Sequence, residues 1–232
     1  MYRMSKQQTM SSKAHGQLQK VVTGAPLDIV AVDILSGLPS ANDGSKYILV
    51  LTDYFTKWSE AYALPDAEAH TCMSPVYDGF FARFGMPRQL HSDQGKNFES
   101  KLIHELCLLA GIEKSKITPF HPGSDGEAER LNRMLLQMLR TTAIDHANNL
   151  PSYLHTLMSA YRMTLHSVTG VTPNMAMLGR GVLTSVTLIA QPPNEPVKVT
   201  VLYVTSFRNA MREAHNRIRE YEFCRSHTEI VL

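Results

Sequence analysis

Six carboxylates sit where chemistry and structure compete to explain them. Asp33 lies inside "IVAVDIL" (29–35), Asp53 inside "LVLTDYF", Asp93 inside "LHSDQGKNF", and Asp125, Glu127 and Glu129 crowd together in "FHPGSDGEAERLNRML" (120–135). An ionised carboxylate withdrawn from water without a partner costs on the order of several kcal/mol, so an acid in an apolar strand must be protonated, paired or bound to a cation. For Asp33 two readings stand: a metal ligand, or a strand aspartate bonded to backbone. Asp53 falls at a strand end before a turn, and there the backbone-bonded reading is preferred. Asp93 follows a short strand among polar and glycine residues, the kind of sheet edge where ligand groups concentrate.

The last three acids separate by position. "SDGE" (124–127) matches a capping box, in which the Ser124 side chain takes the N3 amide and the Glu127 carboxylate reaches back to the Ser124 amide. Asp125 falls in the first turn, where the positive end of the helix dipole favours it. Glu129 lies about 200° round the helix from Glu127 and has no capping role. The apolar arc through Ala128, Leu131, Leu135 and Met138 is flanked by both glutamates, so capping points to Glu129 without deciding it.

The elements that must position these acids follow from hydrophobic period and turn chemistry. "IVAVDIL" reads as a strand covered on both faces, and "YILVLTDYFTKWSEAYAL" (47–64) as two strands with a break near Thr56 and Lys57, so an antiparallel meander is expected. A helix is predicted over 67–84 and ends at "GMP". "RQLHSDQG" is a short strand running into a loop. "NFESKLIHELCLLAG" is an amphipathic helix stopped by Gly111, and "KSKITPF" is a further short strand. A long helix then runs to about His146, and another from Pro151 to about His166. Strands first, then alternating helix and strand, then helices, predict an α/β fold with a mixed sheet flanked by helices. "QPPNEPVK" (191–198) is a Pro-rich linker, and the charged helix beyond it needs a partner surface to be stable.

Composition narrows the class. The 232 residues are 44% apolar, enough for one core of ordinary size, and the formal charge of +2 does not by itself announce nucleic acid. Cys72, Cys107 and Cys224 fit neither a disulfide framework nor a metal knuckle, and no segment has the length of a membrane span. A soluble, intracellular protein is the expectation. His91, His104 and His121 lack paired ligands at short spacing and are read as structural or surface residues, with no zinc site. Trp58 and Tyr161 are read as packing residues.

"VAVDI", "YILVLTDYFTKWSEAYAL", "RFGMPRQLHSDQGKNFES", "HPGSDGEAERLNRML" and "AYRMTLHSVTGVTPNMAMLGR", in that order, resemble the integrase core of gypsy-type LTR retrotransposons and their retroviral relatives. The resemblance implies an RNase H-like fold with a five-stranded mixed sheet and a helical C-terminal extension. It also implies a catalytic triad of two aspartates and a glutamate, with thirty-five residues between the second and third acids. Asp93 and Glu129 have that spacing, Asp33 supplies the first acid, and Glu127 would be two residues short. By resemblance these three hold two Mg²⁺ or Mn²⁺ ions for in-line phosphodiester chemistry, DNA 3′-end processing and strand transfer.

DNA is the implied partner, with a homo-oligomer as the working form, no small-molecule cofactor and the nucleus as the place of activity. Lys116 and Arg133 are candidate phosphate contacts, whereas Lys114 and Arg130 flank the site. Gly123 stands where relatives usually carry a glutamine that helps hold DNA ends. The expected organisation is a tail or linker remnant over 1–25, the catalytic core over 26–180, and the Pro-rich linker with a terminal helix over 181–232. The family's N-terminal zinc module and C-terminal β domain have no counterpart in this sequence, which resembles a core fragment. Two rivals are an inactive or host-adopted remnant and a simple metal-dependent nuclease.

Overall fold

The computed structural model describes residues 23–92, 98, 100–116, 149–167, 169–182 and 200–228, together with 134, 137 and 138. Five strands form one sheet: β1 (Ile29–Leu35), β2 (Tyr47–Asp53), β3 (Ser59–Leu64), β4 (Gln89–Ser92) and β5 (Glu113–Lys116), in the order β3-β2-β1-β4-β5. The first three make the expected antiparallel meander, and β4 and β5 add in parallel on the far side of β1. The fold is therefore a mixed sheet with helices against it.

Strand alternation splits the core into two faces. Val30 and Val32 of β1, Leu49 and Leu51 of β2 and Leu90 of β4 point to one side, against Cys72, Val76, Phe80 and Phe81 of the first helical stretch and Ile103 and Cys107 of α3 (Lys101–Ala110). On the other side Leu35, Ile48, Val50 and Ala61 pack on Leu154, Met158 and Tyr161 of α4 (Leu150–Met163). Each fully buried large apolar side chain here contributes roughly 1.5–3 kcal/mol by area.

The helix expected over 67–84 forms in three pieces: α1 (Ala69–Ser74), a π-helical stretch (Pro75–Phe81) and α2 (Ala82–Phe84). Pro75 has no amide hydrogen to give to Thr71, so the ladder loses a bond at that point and continues in the wider register. α3 starts on Ser100, whose hydroxyl accepts from the Ile103 amide at 3.4 Å, and stops at Gly111, which adopts φ +65°.

The C-terminal helix, α6 (Thr200–Thr228), finds its partner surface on the core itself. Ala214 and Ile218 bury against Phe55, Val171 and Ala176, the last from the short helix α5 (Pro173–Leu178). Gly179, at φ +67°, lets the helices meet: a Cβ there would lie 2.3 Å from Met211 Cγ and 2.9 Å from Phe207 Cε2. The described chain begins at Thr23, already buried. The linker at 191–198 and most of the helix expected to reach His146 lie outside the described residues.

Candidate active site

Asp33 occupies the central strand, in register with Val50 of β2. Alternation puts it between Ala31 and Leu35 on the α4 side of the sheet. It is half-buried rather than enclosed, unlike the run of buried residues before it. Its Oδ1 accepts the amide of Ile34 at 2.7 Å. A half-buried carboxylate at the middle of a sheet, with hard oxygen donors, suits a Mg²⁺-class ion.

The parallel pairing of β1 and β4 runs from Ile29 opposite Gln89 to Val32 opposite Ser92. Val32 and Ser92 thus precede Asp33 and Asp93 in the chain, and Ser92 is fully buried. Phe98, on the far side of "DQGKN", is buried in the core. Lys116 is the last residue of β5 and lies opposite Ser92 in the register, at the same sheet edge. Asp93, Gly123, Glu129 and Arg133 lie outside the described residues.

Asp53 proves to be a structural acid. It is wholly buried; Oδ1 accepts the Leu27 amide at 3.0 Å, and Oδ2 accepts the Thr56 amide at 2.9 Å and the Thr56 hydroxyl at 2.5 Å. Burial pushes its carboxyl pKa up, against the pull of those hydrogen bonds and of Lys57. The residue closes the β2–β3 turn, where Lys57 takes φ +61° and its ammonium donates to the Tyr54 carbonyl. From α4, Tyr161 donates to the Lys57 carbonyl at 2.9 Å and Arg162 to the Ser59 carbonyl at 3.0 Å. Arg162 also pairs with Glu60 at 2.8 Å and lies 4.8 Å from the Trp58 ring centroid. Trp58 and Tyr161 are packing residues, as their sequence contexts suggested.

His91 is likewise structural in its contacts. It is buried, hydrogen-bonded through Nδ1 to Ser115 Oγ at 2.5 Å, with its ring 6.0 Å from that of Tyr54. Lys114 Nζ donates to Ser92 Oγ at 3.2 Å. These two ties between β4 and β5 escape sequence reasoning, because nothing local tells which side chains of two short strands will face each other. No cluster of three or more potential metal-ligating side chains occurs among the described residues.

Residues 24–122 match the integrase core domain family. This integrase core match covers the whole sheet and ends inside the segment that precedes Glu129. Among curated relatives, the Pol polyprotein of feline endogenous virus ECE1 is 33% identical over 102 residues, 44% of this chain and 10% of that protein. The Gag-Pol polyprotein of avian reticuloendotheliosis virus is 31% identical over 115 residues, 50% of this chain and 10% of that protein. The chain therefore spans about a tenth of the length of these relatives.

In three dimensions it resembles the HTLV-2 integrase catalytic core domain, solved with magnesium in a trimeric form. The TM-score is 0.55 at 17% identity, covering 66% of this chain and 97% of the other. A chain of the simian T-cell lymphotropic virus intasome, solved with a PP2A regulatory subunit, gives a TM-score of 0.60 at 19% identity, covering 81% of this chain and 66% of the other. The fold is the RNase H-like one of retroviral integrase catalytic cores. Within the described residues no helix is long and apolar enough to cross a membrane.

Proposed function

We propose that this chain is the catalytic core of a retrotransposon integrase of gypsy type, a polynucleotidyl transferase acting on DNA ends. The observation that carries the reading is Asp33 on the central strand, with β4 paired beside it in parallel up to the residue before Asp93. Asp93 follows Ser92, the last residue of β4, directly in the chain. The spacing to Glu129 and the match over residues 24–122 support the same assignment.

Asp33, Asp93 and Glu129 would hold two divalent ions, Mg²⁺ or Mn²⁺, which when bound activate the attacking oxygen and stabilise the leaving one. The protein's own part would be to hold the three acids at fixed positions about the metal pair. Lys116, the last residue of β5, and Arg133 are the candidate phosphate contacts. Gly123 supplies no side chain to grip a DNA end. A homo-oligomer working in the nucleus completes the proposal.

The test is metal-dependent cleavage and rejoining of a preformed branched DNA, the reverse of strand transfer, with Mg²⁺ and with Mn²⁺. Wild type should act on it, and Asp33→Asn and Glu129→Gln should each lose about 100-fold or more, the scale on which single charge-stabilising groups act. Glu127→Gln should keep activity and lose only about 0.5–2 kcal/mol of stability, as for a lost cap. Folded wild type that is inert with both metals would favour the inactive remnant. Shortened strands without any joining would favour a plain nuclease.

A further inference from the structure

Ahead of β1 the chain turns tightly over residues 24–28. The amides of Gly24 and Ala25 both donate to Asp28 Oδ2 at 2.9 Å, and Asp28 Oδ1 pairs with Arg88 at 3.4 Å. Leu27, inside the turn, takes φ +63°, a conformation that a leucine keeps only where its surroundings hold it. It is held on both sides. Its amide donates to the buried Asp53 at 3.0 Å, and its carbonyl accepts the Arg88 amide at 2.9 Å. The Gln89 amide then donates to the Asp28 carbonyl at 3.0 Å, where the pairing of β1 with β4 begins.

α6 reaches this turn through Arg219. Its Nε donates to the Gly24 carbonyl at 2.9 Å, its Nη1 donates to Asn216 Oδ1 at 3.2 Å, and its guanidinium lies 5.7 Å from the Phe55 ring centroid. One helical turn earlier, His215 sets its ring edge-on to the same Phe55, with 5.3 Å between centroids, and donates through Nε2 to the Ala176 carbonyl at 2.8 Å. Phe55 is wholly buried in the β2–β3 turn, which starts at Asp53, the acceptor of the Leu27 amide. The contacts therefore close a ring. It runs from α6 to Gly24, through the turn to Leu27 and Asp53, and through Phe55 back to α6.

Groups joined in such a ring share the cost of being ordered, so breaking one link weakens the hold on the others. We infer that α6 and the turn over 24–28 are one conformational device, docked and released together, with Arg219 as its clasp. A partner or a tension that draws α6 off the core loosens the start of the β1–β4 pair, and whatever fixes the turn holds α6 down, because coupling between two sites is reciprocal. Asp33 lies toward the other end of β1. The device acts at the end of the sheet away from it, and the inference does not rest on the metal-site assignment.

Hydrogen exchange of the full chain, read by mass spectrometry, tests the coupling in both directions. The reporters are the amides of Leu27, Arg88 and Gln89 for the turn, those of 214–219 for α6, and those of 48–51 in β2 as the reference. Arg219→Met keeps the stem and loses the donors; Gly179→Val reaches α6 by a different route, through Met211 and Phe207; Asp28→Ala opens the turn. Arg219→Met and Gly179→Val should each speed exchange at the turn by about fivefold or more, the scale of a coupled pair of sites. Asp28→Ala should speed exchange over 214–219 in return. Arg219→Met combined with Asp28→Ala should give less than the product of the two single effects.

A turn that keeps its wild-type exchange in Arg219→Met or in Gly179→Val would overturn the inference, as would an α6 that keeps its own in Asp28→Ala, or a double variant whose effect is the product of the singles. Arg219 is solvent-exposed, so its replacement leaves the core packing untouched. A rise over 48–51 equal to that at the turn would mean global unfolding in place of a local release, and would overturn the inference as well.

Discussion

At the residue scale, burial decides what each reactive group can do. The Cys72 thiol is wholly buried, and desolvation raises its pKa to about 11 from an ordinary value of 9.0. Because the folded pKa lies above the unfolded one, the contribution to stability is complete below about pH 9 and is lost as pH rises through about 11. Cys107 is buried and shifted in the same direction. Both thiols should therefore resist alkylation at pH 8 in the folded protein and react at the ordinary rate in urea, as read by mass spectrometry over time. Fast labelling of either one without unfolding would contradict their burial. The carboxylates divide by a different rule: Asp53 receives three hydrogen bonds from backbone and hydroxyl, whereas Asp33 keeps a half-buried place on the central strand. Sequence context separated these two because one precedes turn residues and the other interrupts an apolar run. It could not foresee that Asp33 would be half-exposed, since the cover over a strand's edge comes from segments distant in the chain.

At the element scale, strands and helix stops were legible and the ties between elements were not. β1, β2 and β3 appear where apolar and β-rich runs put them, β4 lies within the expected short strand, β5 (Glu113–Lys116) overlaps only the start of the strand expected at "KSKITPF", and Gly111 ends α3 as its position foretold. The π-helical stretch escaped prediction because apolar spacing cannot distinguish helical registers, although Pro75 was its visible cause. The grip of α4 on the β2–β3 turn was also invisible, since Tyr161 and Arg162 meet Lys57 and Ser59 across roughly a hundred residues of sequence. The close approach of α6 at Gly179 leaves no room for a side chain there, and a test follows. Gly179→Val should force a side chain into the space of Met211 and Phe207 and place a β-branched residue at φ +67°. The expected cost is about 1–3 kcal/mol, as for other overpacked sites. Cleavage within residues 200–228 by a dilute protease should accelerate while the sheet stays protected. Unchanged proteolysis would mean that α6 is held by other contacts.

At the scale of the whole molecule, the sheet, the flanking helices and the docked C-terminal helix make a core that has the fold of retroviral integrase catalytic domains. Its charge is nearly balanced, +2 overall. A core that neutralises few phosphates should bind DNA weakly, with a shallow dependence of the logarithm of affinity on that of salt concentration. A fluorescence-anisotropy titration of a branched duplex between 50 and 200 mM salt, roughly the range in which such effects are large, would show it. A slope as steep as that of a protein making many phosphate contacts would show that local basic residues, and not the net charge, set the affinity.

The order of the strands has a consequence for the way the protein comes into being. β1, β2 and β3 are consecutive in the chain and pair with their sequence neighbours, whereas β4 must cross from Gln89 to reach Ile29. Contacts between near neighbours in sequence form quickly, and those that close long loops form slowly. The meander can thus set Asp33 in its strand before β4 arrives beside it. The candidate metal site straddles a seam between early and late structure, and the last strands to dock are the ones that make it a site.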